Sequence, residues 1–195
     1  MSAIEEALRA NAGYASRFNL GHLPLPPARK LAVLACMDAR LTVESVLGLS
    51  TGDAHIIRNA GGIASEDAVR SLVISHHLLG TREFVIINHT DCGMLTFKDD
   101  ELRTRLEREA GGPTVAPSRF YAFDDLETNV RRQIDVVRSH PWLPRGIPVR
   151  GFIYDVRSGR LNEVAPGPER LTEAAESTVW RNAPATAGAG QPARP

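Results

Sequence analysis

Two short apolar runs, Leu31-Ala32-Val33-Leu34 and Phe84-Val85-Ile86-Ile87, constrain the fold of this chain more than any other feature. Neither alternates apolar with polar residues, so neither suits a strand with one face in water. Both suit a parallel sheet covered by helices on its two faces. The first run leads into Ala35-Cys36-Met37-Asp38-Ala39-Arg40, the second into Asn88-His89-Thr90-Asp91-Cys92-Gly93. Residues able to do chemistry therefore stand at the carboxyl ends of two strands, where open α/β sheets place their binding crevices.

The rest of the chain supplies the elements such a sheet needs. Ile4, Leu8, Tyr14 and Phe18 roughly follow helical spacing, with Gly13 a weak point between two short helical pieces. This thinly apolar segment needs another surface to lie on, either its own domain or a partner subunit. Pro24, Pro26 and Pro27 force an extended connector. Strands are predicted at 30–36, 54–58, 83–88 and 149–156, with a return strand at 160–164 after the turn Ser158-Gly159. Helices are predicted at 42–49, stopping near Gly52, from the N-cap Ser65 to Gly80, over 96–110, and after an N-cap at Asp124 with Leu126, Val130, Ile134 and Val137 along one face.

This order predicts an α/β fold: a mainly parallel central sheet of four strands plus an antiparallel edge strand, flanked by helices, with an N-terminal helical arm. Residues 1–29 form the arm and Pro-rich connector, and 30–165 the α/β domain. Residues 166–195 form an extension with a short helix near Arg170–Trp180 and a disordered tail rich in Ala, Gly and Pro.

Composition excludes several classes of function. Lys and Arg together number 23, as do Asp and Glu, and no basic cluster is dense enough for a general nucleic-acid binder. No apolar run approaches the roughly 20 residues that cross a bilayer. Acids at Glu5 and Glu6, with no basic segment before an apolar stretch, do not read as a secretory signal. The expected location is the cytoplasm, where the only two cysteines, Cys36 and Cys92, serve metal binding or catalysis rather than a disulfide.

Cys36, His89 and Cys92 make the Cys₂His set of a catalytic zinc site, which keeps its fourth position open. His-x-x-Cys lets two ligands clasp one ion from a single turn. If strand geometry persists beyond Cys36, then Cys36, Asp38 and Arg40 share one side of the chain. Arg40 would then hold Asp38 ionised through a charge-assisted hydrogen bond. Asp38 has two possible uses, as proton acceptor beside the metal or as a fourth ligand that shuts the site. His55 reads as a strand-end histidine in preference to a proton shuttle.

Cys36-x-Asp38-x-Arg40 followed by His89-x-x-Cys92 resembles the signature of the β-class carbonic anhydrases. The similarity extends to Arg58-Asn59-Ala60-Gly61-Gly62 and to the order of strands and helices, roughly 30–164. The resemblance implies one zinc ion (Zn2+) per subunit on Cys36, His89 and Cys92, with Asp38 and Arg40 as a catalytic dyad and Gly61 and Gly62 lining the substrate pocket. It implies reversible hydration of carbon dioxide to bicarbonate and a proton by a zinc-bound hydroxide. It also implies a homodimer or dimer of dimers whose N-terminal helices embrace the neighbouring subunit.

Two positions depart from the family pattern. Many members carry a glutamine before the first strand, and this chain has none before Gln133. Members with an inhibitory bicarbonate site carry a tryptophan where this chain has Val33. One alternative is a carbonyl sulfide or carbon disulfide hydrolase using the same zinc site; a less favoured one is a non-catalytic zinc-binding module.

Overall fold

The computed structural model describes residues 1–113, 117 and 119–165. Its strands are β1 (Leu31–Cys36), β2 (Ala54–Asn59), β3 (Glu83–His89), β4 (Val149–Tyr154) and β5 (Leu161–Val164). They form one sheet in the order β2-β1-β3-β4-β5. β1 pairs in parallel with β2 and β3, β3 in parallel with β4, and β5 closes the edge antiparallel to β4. The four-plus-one arrangement is the one that the order of strands and helices predicts.

The helices are α1 (Ala3–Ala15), α2 (Val43–Leu47), α3 (Glu66–Leu79), α4 (Asp99–Glu109) and α5 (Leu126–Arg138). Both faces of β1 are buried, as its lack of alternation requires. Ala32 and Leu34 join Phe84 and Ile86 against Val69 and Leu72 of α3 and Val130, Ile134 and Val137 of α5. Val33, Ala35 and Ile87 face the other way, onto Leu41, Val43 and Met94. Each large aliphatic side chain buried this way contributes about 1.5–3 kcal/mol. α5 lies so close to β4 that a Cβ at Gly151 would stand 2.4 Å from Val130 Cγ1.

Several boundaries differ from those expected. The N-terminal segment is one helix, not two pieces, running through Gly13 from a capping box of Ser2 and Glu5. α2 stops at Gly48, which takes the left-handed conformation at φ 61°, before Gly52 is reached. α4 begins at Asp99, three residues after the expected start, because the chain leaves the 3₁₀ turn Gly93–Leu95 in a non-helical stretch that ends at Lys98, the extended N-cap. The N-cap of α5 is Asp125, whose side chain accepts the Thr128 N–H, and not Asp124. The helix expected near 170–180 and the tail after it lie outside the described residues. Among the described residues, no helix is long and apolar enough to cross a membrane.

β1 is where the topology switches direction: the chain leaves it for β2 on one side and returns to β3 on the other. The carboxyl ends of β1 and β3 therefore flank the crevice that such a switch opens.

Candidate metal centre

Cys36 is the last residue of β1 and His89 the last of β3, so neighbouring parallel strands deliver them to one rim. The next turn is pinned to β4: Thr90 N–H donates to the Tyr154 carbonyl at 2.9 Å, and Thr90 Oγ1 accepts the Val156 N–H at 3.1 Å. Asp91 then takes a left-handed conformation, φ 57°, which reverses the chain and brings Cys92 back beneath His89. One ligand atom from each of Cys36, His89 and Cys92 falls within 4.8 Å of the others, and all three residues are buried. That spacing admits bonds of about 2.3 Å from both sulfurs to one ion.

The His89 ring carries the clearest signal. Its Nδ1 lies 2.9 Å from the Thr90 carbonyl, which fixes Nδ1–H as donor and leaves a lone pair on Nε2. Among the described residues, Nε2 is the one buried side-chain nitrogen or oxygen with no hydrogen-bond partner. Buried polar atoms are nearly always satisfied, and this one faces two sulfurs. A divalent, sulfur-tolerant cation is the partner that an imidazole lone pair and two thiols share.

The thiols are prepared for that role. The Cys92 thiol donates to the Cys36 sulfur, and the His89 ring, when Nε2 also carries a proton, and the nearby backbone N–H groups of Asp38 and Gly61 stabilise negative charge there. Together they outweigh burial and hold Cys36 well below the usual thiol range. The same charge on Cys36, with burial, pushes Cys92 up. The proton kept on Cys92 is the one that a metal ion displaces on binding.

Asp38 and Arg40 come together by a different route from the expected one. The strand ends at Cys36, so alternation along an extended chain does not place them. A turn does, closed by Leu41 N–H donating to the Asp38 carbonyl at 3.0 Å. Arg40 Nε donates to Asp38 Oδ1 at 3.0 Å and Nη2 to Oδ2 at 2.9 Å, while the Arg40 backbone N–H reaches Oδ1 at 2.8 Å. The guanidinium holds the Asp38 carboxyl far below the usual carboxylate range. Oδ2 lies 3.7 Å from His89 Nε2, at the edge of the cluster.

This geometry is shared with known proteins. The carbonic anhydrase family matches residues 31–161. The chain belongs to the β-carbonic anhydrase family. It is 44% identical over 167 residues to β-carbonic anhydrase 1 of Mycobacterium tuberculosis, covering 85% of this chain and all of the relative. The crystal structure of carbonic anhydrase from Streptococcus mutans superposes with a TM-score of 0.79 at 43% identity, covering 85% of this chain and 99% of that one. A carbon disulfide hydrolase of Acidithiobacillus thiooxidans is 33% identical, covering 81% of this chain and 87% of the relative. β-Carbonic anhydrases are zinc enzymes, and the donor set found here fits zinc.

Gly62 packs directly beside Cys36, and Gly61 beside Met94 and Phe123. Gly62 has φ 60°, and a Cβ there would stand 3.0 Å from the Cys36 nitrogen. His55 lies far from the centre: it pairs with Ala32 near the amino end of β1, and its Nδ1 meets Ser75 Oγ at 2.7 Å. Sequence reasoning missed two residues that shape the site. Arg58 Nε and Nη2 donate to the carbonyls of Cys36 and Asp38 at 3.0 and 2.7 Å, stapling that turn from β2. Asp91 is a second carboxylate on Arg40. The only signal for it was its place between two ligands, in His89-Thr90-Asp91-Cys92.

Proposed function

We propose that this β-carbonic anhydrase hydrates carbon dioxide reversibly to bicarbonate and a proton, using one zinc ion per subunit held by Cys36, His89 and Cys92. The observation that carries this reading is the unpartnered, buried Nε2 of His89, grouped with two sulfurs within 4.8 Å. Zinc in such a set acts as a Lewis acid and lowers the pKa of water to about 7, so a nucleophile is available near neutrality.

The protein's own residues do the rest. Asp38 and Arg40 form the catalytic pair: the guanidinium engages both carboxylate oxygens and keeps Asp38 ionised and fixed. Asp38 Oδ2, the oxygen nearer His89, accepts a hydrogen bond from the reacting water and orients its lone pair toward the carbon of the substrate. The backbone of Gly61 and Gly62 lines the substrate pocket. With both oxygens engaged by Arg40, Asp38 is drawn away from service as a fourth ligand, which weighs against a closed, non-catalytic zinc module.

A second reading, hydrolysis of carbonyl sulfide or carbon disulfide, draws support from the carbon disulfide hydrolase relative at 33% identity. Its chemistry needs the same donors. Metal analysis coupled to two assays on the purified protein separates the readings: stopped-flow hydration of carbon dioxide, and sulfide release from each sulfur substrate. Zinc near one equivalent with the larger kcat/KM on carbon dioxide is the expected result. A larger value on a sulfur substrate overturns it.

The catalytic unit is 30–165, with 1–29 as an arm. No residue of α1 is buried, and Ile4, Leu8, Tyr14 and Phe18 all stand exposed. These side chains fit a role in covering a second copy, as a homodimer or dimer of dimers, which sedimentation velocity tests. The cytoplasm is the assigned compartment because it keeps Cys36 and Cys92 reduced for the metal.

A further inference from the structure

Three side-chain amides lie buried in a row between α5 and the glycine loop. Gln133 Oε1 accepts the Ala64 N–H at 2.9 Å. Gln133 Nε2 donates to Asn129 Oδ1 at 2.7 Å, and Asn129 Nδ2 donates to Asn88 Oδ1 at 2.7 Å. Asn88 Nδ2 donates in turn to the Gly61 carbonyl at 2.9 Å. The three residues are 4%, 5% and 1% exposed, so water does not compete for these bonds.

The row has a fixed direction. The Ala64 N–H can only donate and the Gly61 carbonyl can only accept, so both ends dictate which way every amide between them points. It starts and finishes on the same loop, Gly61–Ala64, and so acts as a clamp. The i, i+4 spacing of Asn129 and Gln133 puts both on the α5 face that packs on the sheet.

The clamped loop packs against the backbone of the metal centre. The held carbonyl is joined through the 61–62 peptide to Gly62, which packs against the Cys36 backbone: a Cβ there would stand 3.0 Å from the Cys36 nitrogen and 2.7 Å from Asn88 Nδ2. Asn88 is also the residue before His89 in β3. Residues that hold the backbone around a ligating side chain set that side chain's orientation.

We propose that Asn88, Asn129 and Gln133 are positioning residues for the metal centre, holding the Gly61–Gly62 turn against the backbone of Cys36. This rests on Cys36 being a zinc ligand, as argued above. Gln133 touches neither the ligands nor the catalytic pair, yet it sets the polarity of the whole row. In Gln133→Glu an ionised carboxylate still accepts from Ala64 but cannot donate to Asn129. Asn129 and Asn88 must then turn over, and Asn88 presents an oxygen to the Gly61 carbonyl.

The test compares the wild type with Gln133→Glu and Gln133→Met. The expected results are zinc content near the wild-type level, kcat lowered by about 10- to 100-fold with KM little changed, and a shifted absorption spectrum of the cobalt-loaded protein. The Gly61 amide resonance should move, and the Gly62 N–H, which donates to the Asn59 carbonyl at 3.2 Å, should lose protection from hydrogen exchange. An unmoved Gly61 amide and an unchanged cobalt spectrum, with only the melting temperature lowered, overturn the proposal and leave a merely structural clamp. If neither variant folds, exchange in the wild type decides: slow exchange at Gly62 and Ala64 supports the clamp, and fast exchange overturns it. A wild type that binds no zinc overturns the reading of the centre instead, so the two failures are distinguishable.

Discussion

Arg40 holds Asp91 as well as Asp38: its Nη1 lies 2.8 Å from Asp91 Oδ2, and its Nη2 reaches the Asp91 carbonyl at 3.1 Å. One guanidinium thus ties the turn after β1 to the turn after β3, across the rim where the candidate metal ligands meet. Asp91→Asn keeps the left-handed backbone that asparagine tolerates and removes only the charge. Because the pair is exposed to solvent, kcat should fall by at most about fivefold with zinc retained. A loss as large as that of an Asp38 variant would show Asp91 acting directly on the reaction.

Asp38→Ala removes the carboxylate that Arg40 orients while leaving all three ligands in place. Metal content should stay near the wild-type level while kcat drops by about 10²- to 10⁴-fold, the range for a positioned proton-transfer group. Unaffected turnover would take Asp38 out of the mechanism.

Cys92→Ser replaces a soft thiolate by a hydroxyl that binds zinc weakly. The variant should fold, since serine is close in size at this buried position, but lose most of its zinc on dialysis. Metal analysis with far-ultraviolet circular dichroism checks both halves. Near-full zinc occupancy would contradict the ligand assignment.

The runs Leu31–Leu34 and Phe84–Ile87 made the sheet legible because burial on both faces leaves a strand no polar position to show. The candidate metal cluster was legible for a related reason: thiols and imidazole at strand ends have few ordinary uses. What stayed hidden depended on tertiary contact. Asn129 and Gln133 look like polar breaks in the apolar face of α5, yet both are buried because Asn88 and the Ala64 amide satisfy them. Asp38 and Arg40 were paired correctly but by the wrong geometry, since a turn and not a strand brings them together. The cap at Asp125 was missed by one residue because either of two adjacent aspartates can accept a helix N–H, and only the chain's path decides between them.

Gly62 is the glycine of the site with the least room. Its φ is 60°, and a Cβ would stand 2.7 Å from Asn88 Nδ2 and 3.0 Å from both the Cys36 nitrogen and the Ile87 carbonyl oxygen. Two of these neighbours are backbone atoms of β1 and β3 and cannot swing away. Gly62→Ala should therefore destabilise the fold by about 1–3 kcal/mol, read as a lowered denaturation midpoint. An unchanged midpoint would mean that the loop relaxes more freely than its contacts imply.

Asp99, at the start of α4, binds the loop that carries Phe123 to the glycine turn. Its carboxylate accepts the N–H groups of Phe120, Tyr121 and Ala122 at 2.9, 3.1 and 2.8 Å, and Tyr121 sits at φ 63°. Burial pushes the Asp99 carboxyl up, but the three donors together outweigh it and leave its pKa below the usual value. A carboxyl with a folded pKa below its unfolded value of about 3.9 stabilises the fold fully above that pH. The contribution is lost as pH falls through the lower, folded value. Asp99→Asn should cost about 1 kcal/mol at neutral pH, discounted for solvent access. The gap between variant and wild type should close as the pH drops below about 4. Denaturation midpoints at neutral and acid pH measure it, and a gap that stays constant down to acid pH would show that the loop is held by packing rather than by the charge on Asp99.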